Sequence, residues 1–376
     1  MPLLDACRKA GLVLLTVTLI GTAGAEDIKE GAEETKEKEP QYESGSILIP
    51  AASEQEPKRQ EFSAHLADRY LTNGALAWSR SEGCISCHTN GSYLTVRGAL
   101  TSRLGPPPVE VRSFFVEQVR KLTGTSGLKS DVTGTSTAYI ALGLAEWDVH
   151  VTKSLSPETD QALRLMFSAQ LENGSWFNQT CWPPLESSEF QVTTVAALAV
   201  ATAPGWLAEL DDDGLQEQVD KLKEYLQQTD PLNDYGRISL LWAATRIPDL
   251  LTDVQKQAFI DMTWSHQRAD GGWSIRTFAK PEDWGEGNRA ERLRAEPEFD
   301  NPPSDGHMTG LAVLILRDAG MAVVDPRIQA AVNWLKTNQR ESGRWWTRSL
   351  NNDSYHFITF SSTGYALLAL AKCDAL

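Results

Sequence analysis

Cys84-Ile85-Ser86-Cys87-His88 is the run in this chain whose residue types and spacing most directly imply chemistry. A C-x-x-C-H run is the attachment signal of a c-type haem: two thiols add to the porphyrin vinyl groups, and the adjacent imidazole is placed to bind iron. Three other readings are open. The cysteines can form a disulfide or redox pair with His88 a bystander. Cys84, Cys87 and His88 can hold a metal, although a fourth ligand is lacking. The run can also be a purely structural loop. There is no second C-x-x-C-H in the 376 residues, so at most one haem is expected.

The opening residues predict where such chemistry would take place. Arg8 and Lys9 precede an apolar run from Gly11 to Ile20, and Ala23-Gly24-Ala25 matches a cleavage site. Residues 1–25 therefore read as a secretory signal peptide, and the mature protein is expected in the periplasm or secreted. No later run of eighteen apolar residues follows, so no transmembrane segment is expected after cleavage. Cys7 leaves with the signal. Cys181 and Cys373 are expected to pair if the fold brings them together, and otherwise to stay buried thiols. The formal net charge of −15 excludes nucleic acid as a partner and argues against anionic lipid.

Residues 26–57 are acidic, proline-punctuated and poor in aromatics, which predicts a flexible tether. Within it, Ile47-Leu48-Ile49-Pro50 is expected to dock on the domain. Residues 58–376 alternate two kinds of helix. One kind is amphipathic, with Phe62, Leu66, Tyr70 and Leu71 on one face, and Ile328, Ala331, Val332 and Leu335 on another. The other is apolar nearly all round, as in STAYIALGLA at 136–145 and STGYALLALA at 362–371. Amphipathic helices outside and apolar helices inside satisfy both patterns. About six outer/inner pairs are predicted, closing into a single all-α ring, an α/α toroid.

Three loops repeat one signature: Gln170-Leu-Glu-Asn-Gly174-Ser-Trp176, Gln267-Arg-Ala-Asp-Gly271-Gly-Trp273 and Gln339-Arg-Glu-Ser-Gly343-Arg-Trp345. Each ends an outer helix. The glycine is expected to supply a left-handed or close-packed turn, and the Trp to lie over the Gln amide. Cys87-His-Thr-Asn-Gly91-Ser-Tyr93 overlays the same pattern, with Cys87 in the Gln position, which would put a haem at the rim of the ring.

Q-x-x-x-G-x-W after an outer helix resembles the QW repeat of squalene and hopene cyclases and protein prenyltransferases. The stretches SEGCISCHTNGSYLTVRGALTSRLGPPP and RESGRWWTRSLNNDSYHFIT are similar to an exported bacterial subgroup with an embedded C-x-x-C-H. The prenyltransferase resemblance implies zinc on an Asp and a second ligand two residues apart, with a His from a later helix. Asp305, His307 and His356 resemble those positions, with His307 where that family has Cys. His307, Met308 or His356 is alternatively a distal haem ligand. The acid cluster D-x-D-D of the cyclases has no counterpart: Asp131, Glu189, Asp234, Asp305 and Asp353 stand singly. Asp211-Asp212-Asp213 precedes an outer helix and reads as an N-cap. The C-x-E-Q of toroid thioester domains is absent too.

The reading that follows is an exported toroid carrying one covalent haem c, in electron transfer or haem redox chemistry with a periplasmic redox partner. The alternative is a terpenoid cyclase- or prenyltransferase-like enzyme, or an isoprenoid- or lipid-binding toroid, without haem and possibly with zinc. In either case an apolar small molecule is expected in the central cavity.

Overall fold

In the computed structural model, the described residues are 39–129, 132–178 and 182–376. Helices of eight residues or more are numbered here. Six are outer: α1 (Ala64–Ser81), α3 (Val109–Leu122), α5 (Pro157–Ser168), α7 (Asp213–Gln228), α9 (Asp253–Ser265) and α11 (Pro326–Thr337). Six are inner: α2 (Asn90–Arg97), α4 (Thr133–Trp147), α6 (Glu189–Thr202), α8 (Asp234–Ala244), α10 (Gly306–Asp318) and α12 (Ile358–Lys372). Most starts carry a polar cap. Ser63, Ser156, Ser188, Asn233 and Asp305 each accept a first-turn N–H, and Thr252 forms a capping box with Gln255.

Each inner helix packs on the next, and α12 packs on both α10 and α2, so the inner ring is closed. This explains why the inner helices are apolar all round: neighbours cover two sides, an outer helix the third and the ring axis the fourth. Leu142, Leu144, Val195, Leu198, Leu240, Leu311, Leu314, Leu368 and Leu370 are all buried. The chain is an α/α toroid, as the alternating patterns predict.

The three Q-x-x-x-G-x-W loops are the joints of the ring. Each Gln side chain donates to the glycine carbonyl of its own loop and to a carbonyl at or near the start of the following outer helix, namely Gln218, Arg327 or Ser63. The third of these joins the last repeat to the first. The Trp indole N–H donates to the last turn of its own outer helix, at Met166, Thr263 or Leu335. The repeat is therefore held by these hydrogen bonds to main-chain carbonyls. Gly343 is left-handed at φ 95°, and a Cβ there would lie 2.4 Å from the Leu66 carbonyl carbon. Gly343→Ala is expected to cost about 1–3 kcal/mol by urea denaturation, because both the backbone and the contact with α1 must give way. A loss below the measurement error would show that the joint is slack.

Strand content among the described residues is one short hairpin, β1 (Tyr42–Ser44) with β2 (Ile47–Ile49). It lies in the segment expected to be a flexible tether. For residues 39–57 that expectation is corrected. Tyr42 is buried against Trp78, Phe357 and Phe360, while Arg344, only 4% exposed, pairs with Glu56 at 2.7 Å and donates to the Pro50 and Ala51 carbonyls. Aromatic anchoring and a buried ion pair order a segment whose composition alone would not. Ile49 docks as expected, whereas Leu48 stays 64% exposed. Residues 1–25, expected to be a signal peptide, and residues 26–38 lie outside the described residues. No helix among the described residues is long and apolar enough to cross a membrane.

Candidate functional site

Cys84, Cys87 and His88 lie in the loop joining α1 to α2. Asn90, fully buried, holds this loop: its Oδ1 accepts from Ser86 N, and its Nδ2 donates to the Cys84 carbonyl and to Ser79. Gly91 lies within α2, where a Cβ would meet the Ser86 carbonyl at 2.5 Å. The first pair therefore lacks the left-handed QW turn, and the overlay of Cys87 on the Gln position does not hold in three dimensions.

The His88 ring stacks on Phe357 at 4.6 Å and meets the edge of Trp78 at 4.8 Å. Its Nδ1 is 2.7 Å from Thr89 Oγ1. Burial lowers the imidazole to about 3, so the ring is neutral at pH 7. Cys87 is buried, and its thiol is close enough to the carboxyl of Glu186 to lower it. The donor set suits a porphyrin, with two thiols for thioether bonds and a neutral imidazole whose engaged Nδ1 leaves Nε2 for iron. Attachment would require the Cys87 thiol to leave Glu186.

Glu186 is the residue that sequence reasoning missed. It sits in the loop before α6, where the main chains of Trp182 and Glu186 bond in both directions and Tyr139 donates to the Leu185 carbonyl at 2.8 Å. Burial pushes its carboxyl up to about 7, against the lowering effect of the Cys87 thiol. Its neighbour Leu185 lines an axial cavity to which all six inner helices contribute, with Tyr139, Tyr235 and Tyr365 among the lining. Burial raises all three phenols, so they remain protonated hydrogen-bond donors. The cavity volume is only ≈ 30 Å³, room for about one or two waters. An apolar ligand in the ring needs side chains such as these to turn aside.

Asp305, His307 and His356 do not gather into a metal site. Asp305 receives Met308 N–H on one oxygen and Ile275 N–H on the other. His307 shares hydrogen bonds with Tyr235 at Nε2 and Ser361 at Nδ1, both 3.1 Å, and His356 accepts Ser349 N–H at Nδ1. These bonds hold the three side chains on separate partners within the fold. No group of three metal-ligating side chains occurs among the described residues. Met308 is fully buried. Asp212 caps α7 and pairs with Arg164 at 3.1 Å, and Asp211 and Asp213 are exposed, so the acidic run is on the outside as expected. Cys373 is buried, and its pairing with Cys181 falls outside the described residues.

No family model and no curated protein sequence matches the chain. Among solved structures it is similar to the type II terpene cyclase MstE from Scytonema in its apo form. That similarity has 13% identity and a TM-score of 0.44, over 82% of this chain and 99% of that one. It is also similar to a structure described as a wild-type glycosidase, with 11% identity and a TM-score of 0.44, over 92% and 93% of the two chains. Likeness at this depth carries no argument about chemistry. The class, α/α toroid, rests on the helix order and the closed inner ring.

Proposed function

We infer that this chain is a toroid enzyme of small-molecule acid–base chemistry, with Glu186 as its proton donor and acceptor and the Cys87 thiol beside that carboxyl. The observation that carries this reading is a carboxyl raised to about 7 on Glu186, next in the chain to Leu185, which lines the cavity on the ring axis. Catalytic acids and bases are most effective with a pKa near the working pH. An acid of that strength is far too weak to protonate an unactivated alkene. The reaction is therefore proton transfer at an oxygen or nitrogen of the ligand, not cyclisation begun at a double bond. The repeat resemblance suggests an isoprenoid as the ligand, and the chemistry asks that it bear a polar oxygen function. The test has two arms. Infrared spectra should show a carboxylic C=O band titrating near pH 7 that is missing in Glu186→Gln. Farnesol and geranylgeraniol should raise the melting temperature of the wild type, and less so that of Glu186→Gln. A Glu186 that titrates near 4.5 removes the acid–base reading, and an absence of stabilisation by either alcohol removes the isoprenoid.

A covalent haem on Cys84, Cys87 and His88 is the second proposal. It is favoured by the neutral His88 imidazole with its Nδ1 on Thr89. The group would supply one-electron chemistry and imply a redox partner in the periplasm. After periplasmic expression with haem-attachment machinery and denaturation, the intact mass should exceed the bare polypeptide by one haem, and the Cys84→Ala/Cys87→Ala variant should lose that mass. A bare wild-type mass beside a matured control cytochrome would defeat it.

A further inference from the structure

The loop that follows the second Q-x-x-x-G-x-W bonds through Arg276 to the Arg348 and Ser349 carbonyls after the third and borders a second cavity, ≈ 260 Å³ in volume. Three separated stretches build it: Ser274 and Arg276, residues 296–305, and Trp346 with Arg348, while Glu54 of the N-terminal segment stands at the edge. The rim residues Glu54, Pro297, Glu298 and Pro303 are exposed, and the floor residues Ser274, Pro302 and Asp305 are buried. The cavity therefore opens to solvent on one side.

Two polar groups of the lining lack partners. Ser274 is fully buried, and its hydroxyl has no hydrogen-bond partner. The same is true of the Trp346 indole nitrogen. Buried polar groups without partners cost free energy and are rare, so two beside one cavity point to something that fills it. The charges are largely settled within the wall. Glu296 receives a bidentate pair from Arg276 at 2.7 and 2.9 Å, and Arg348 pairs with Asp353 at 2.9 Å. Asp305 keeps acceptor capacity beyond its two backbone N–H bonds. An indole and three proline rings supply apolar surface around these groups.

We propose that this cavity is a binding site for a neutral polyhydroxylated molecule of monosaccharide size. Such a ligand has hydroxyls that both donate and accept, as Ser274, Trp346 and Asp305 require, and C–H faces that pack on aromatic and proline rings. Its volume suits ≈ 260 Å³. A free anion would have to displace carboxylates already holding the arginines. An isoprenoid would leave the polar floor unpaired.

Saturation-transfer NMR on the full chain with D-glucose, D-galactose and N-acetyl-D-glucosamine tests the assignment. At least one sugar should receive saturation from the wild type. Ser274→Ala and Trp346→Phe should each weaken its binding roughly fivefold, the worth of one neutral hydrogen bond. Ser274→Ala is expected to fold at least as well as the wild type, because it removes an unpaired buried hydroxyl, and Trp346→Phe gives an independent check. Transfer to none of the three sugars would overturn the proposal, as would equal transfer in both variants. Displacement of the sugar by inorganic phosphate would reassign the cavity to an anion and overturn it as well.

Discussion

Acidification from pH 7 to pH 4 should destabilise this protein by several kcal/mol, with the buried ring of His307 a principal cause. Its ring is fully buried among α8, α10 and α12, bonded to Tyr235 and Ser361, and burial lowers it to about 3. In the unfolded chain it titrates near the ordinary value of about 6.5. The folded value is depressed, so the unfolded state takes up its proton first as pH falls. The stability tied to this ring is whole above pH 6.5 and drains away toward pH 3. Between pH 6.5 and 4 the loss is about 3 kcal/mol. His88 acts in the same direction. Urea denaturation at pH 4, 5, 6 and 7 should show a steep fall for the wild type and a flatter one for His307→Gln, whose amide keeps donors and acceptors but takes no proton. Parallel curves would mean that His307 is not buried as a neutral ring.

Glu186 should act in the opposite direction and over a higher window. Its folded value, about 7, lies above the ordinary carboxyl value. Its contribution is therefore complete below about pH 4.5 and is lost as pH rises through 7. The full effect is at most about 3 kcal/mol, reduced by the partial exposure of the residue. Glu186→Gln should remove this slope while leaving the acid limb of His307 in place. The two variants together separate the titrations. If the wild type and Glu186→Gln lose stability equally between pH 5 and 8, the carboxyl is not held protonated in the fold.

The opposing slopes have a common origin. A closed ring of apolar helices desolvates whatever polar side chain faces its axis, and desolvation favours the neutral form of an acid and of a base alike. The same physics keeps the tyrosines of the axial cavity protonated. It leaves a core lined by hydrogen-bonding groups that are neutral at pH 7, a setting for proton transfer more than for ion binding.

What the amino-acid sequence determined by itself was everything encoded locally. The 3.6-residue periodicity of the outer helices, the unbroken apolar runs of the inner ones and three spaced Gln, Gly and Trp residues were enough for six pairs in a ring. The N-cap reading of Asp212 likewise needed only its neighbours, Gly214 and Leu215. Only the tertiary structure decided which side chains share an environment. Glu186 meets Cys87 across 99 positions, a spacing without sequence signature; its sole local hint is its place just before an inner helix, where Asp305 also sits. The second cavity gathers three stretches and the edge of a fourth. Asp305, His307 and His356 have a ligand-like spacing, yet in the fold they are held by backbone and hydroxyl partners that the sequence could not place. The hairpin at 42–49 shows the same division. Its composition predicts a tether, while Trp78, Phe357 and Arg344 supply the partners that order it. Helix pattern is a property of neighbours along the chain, whereas burial, and with it every shifted pKa here, is a property of neighbours in space.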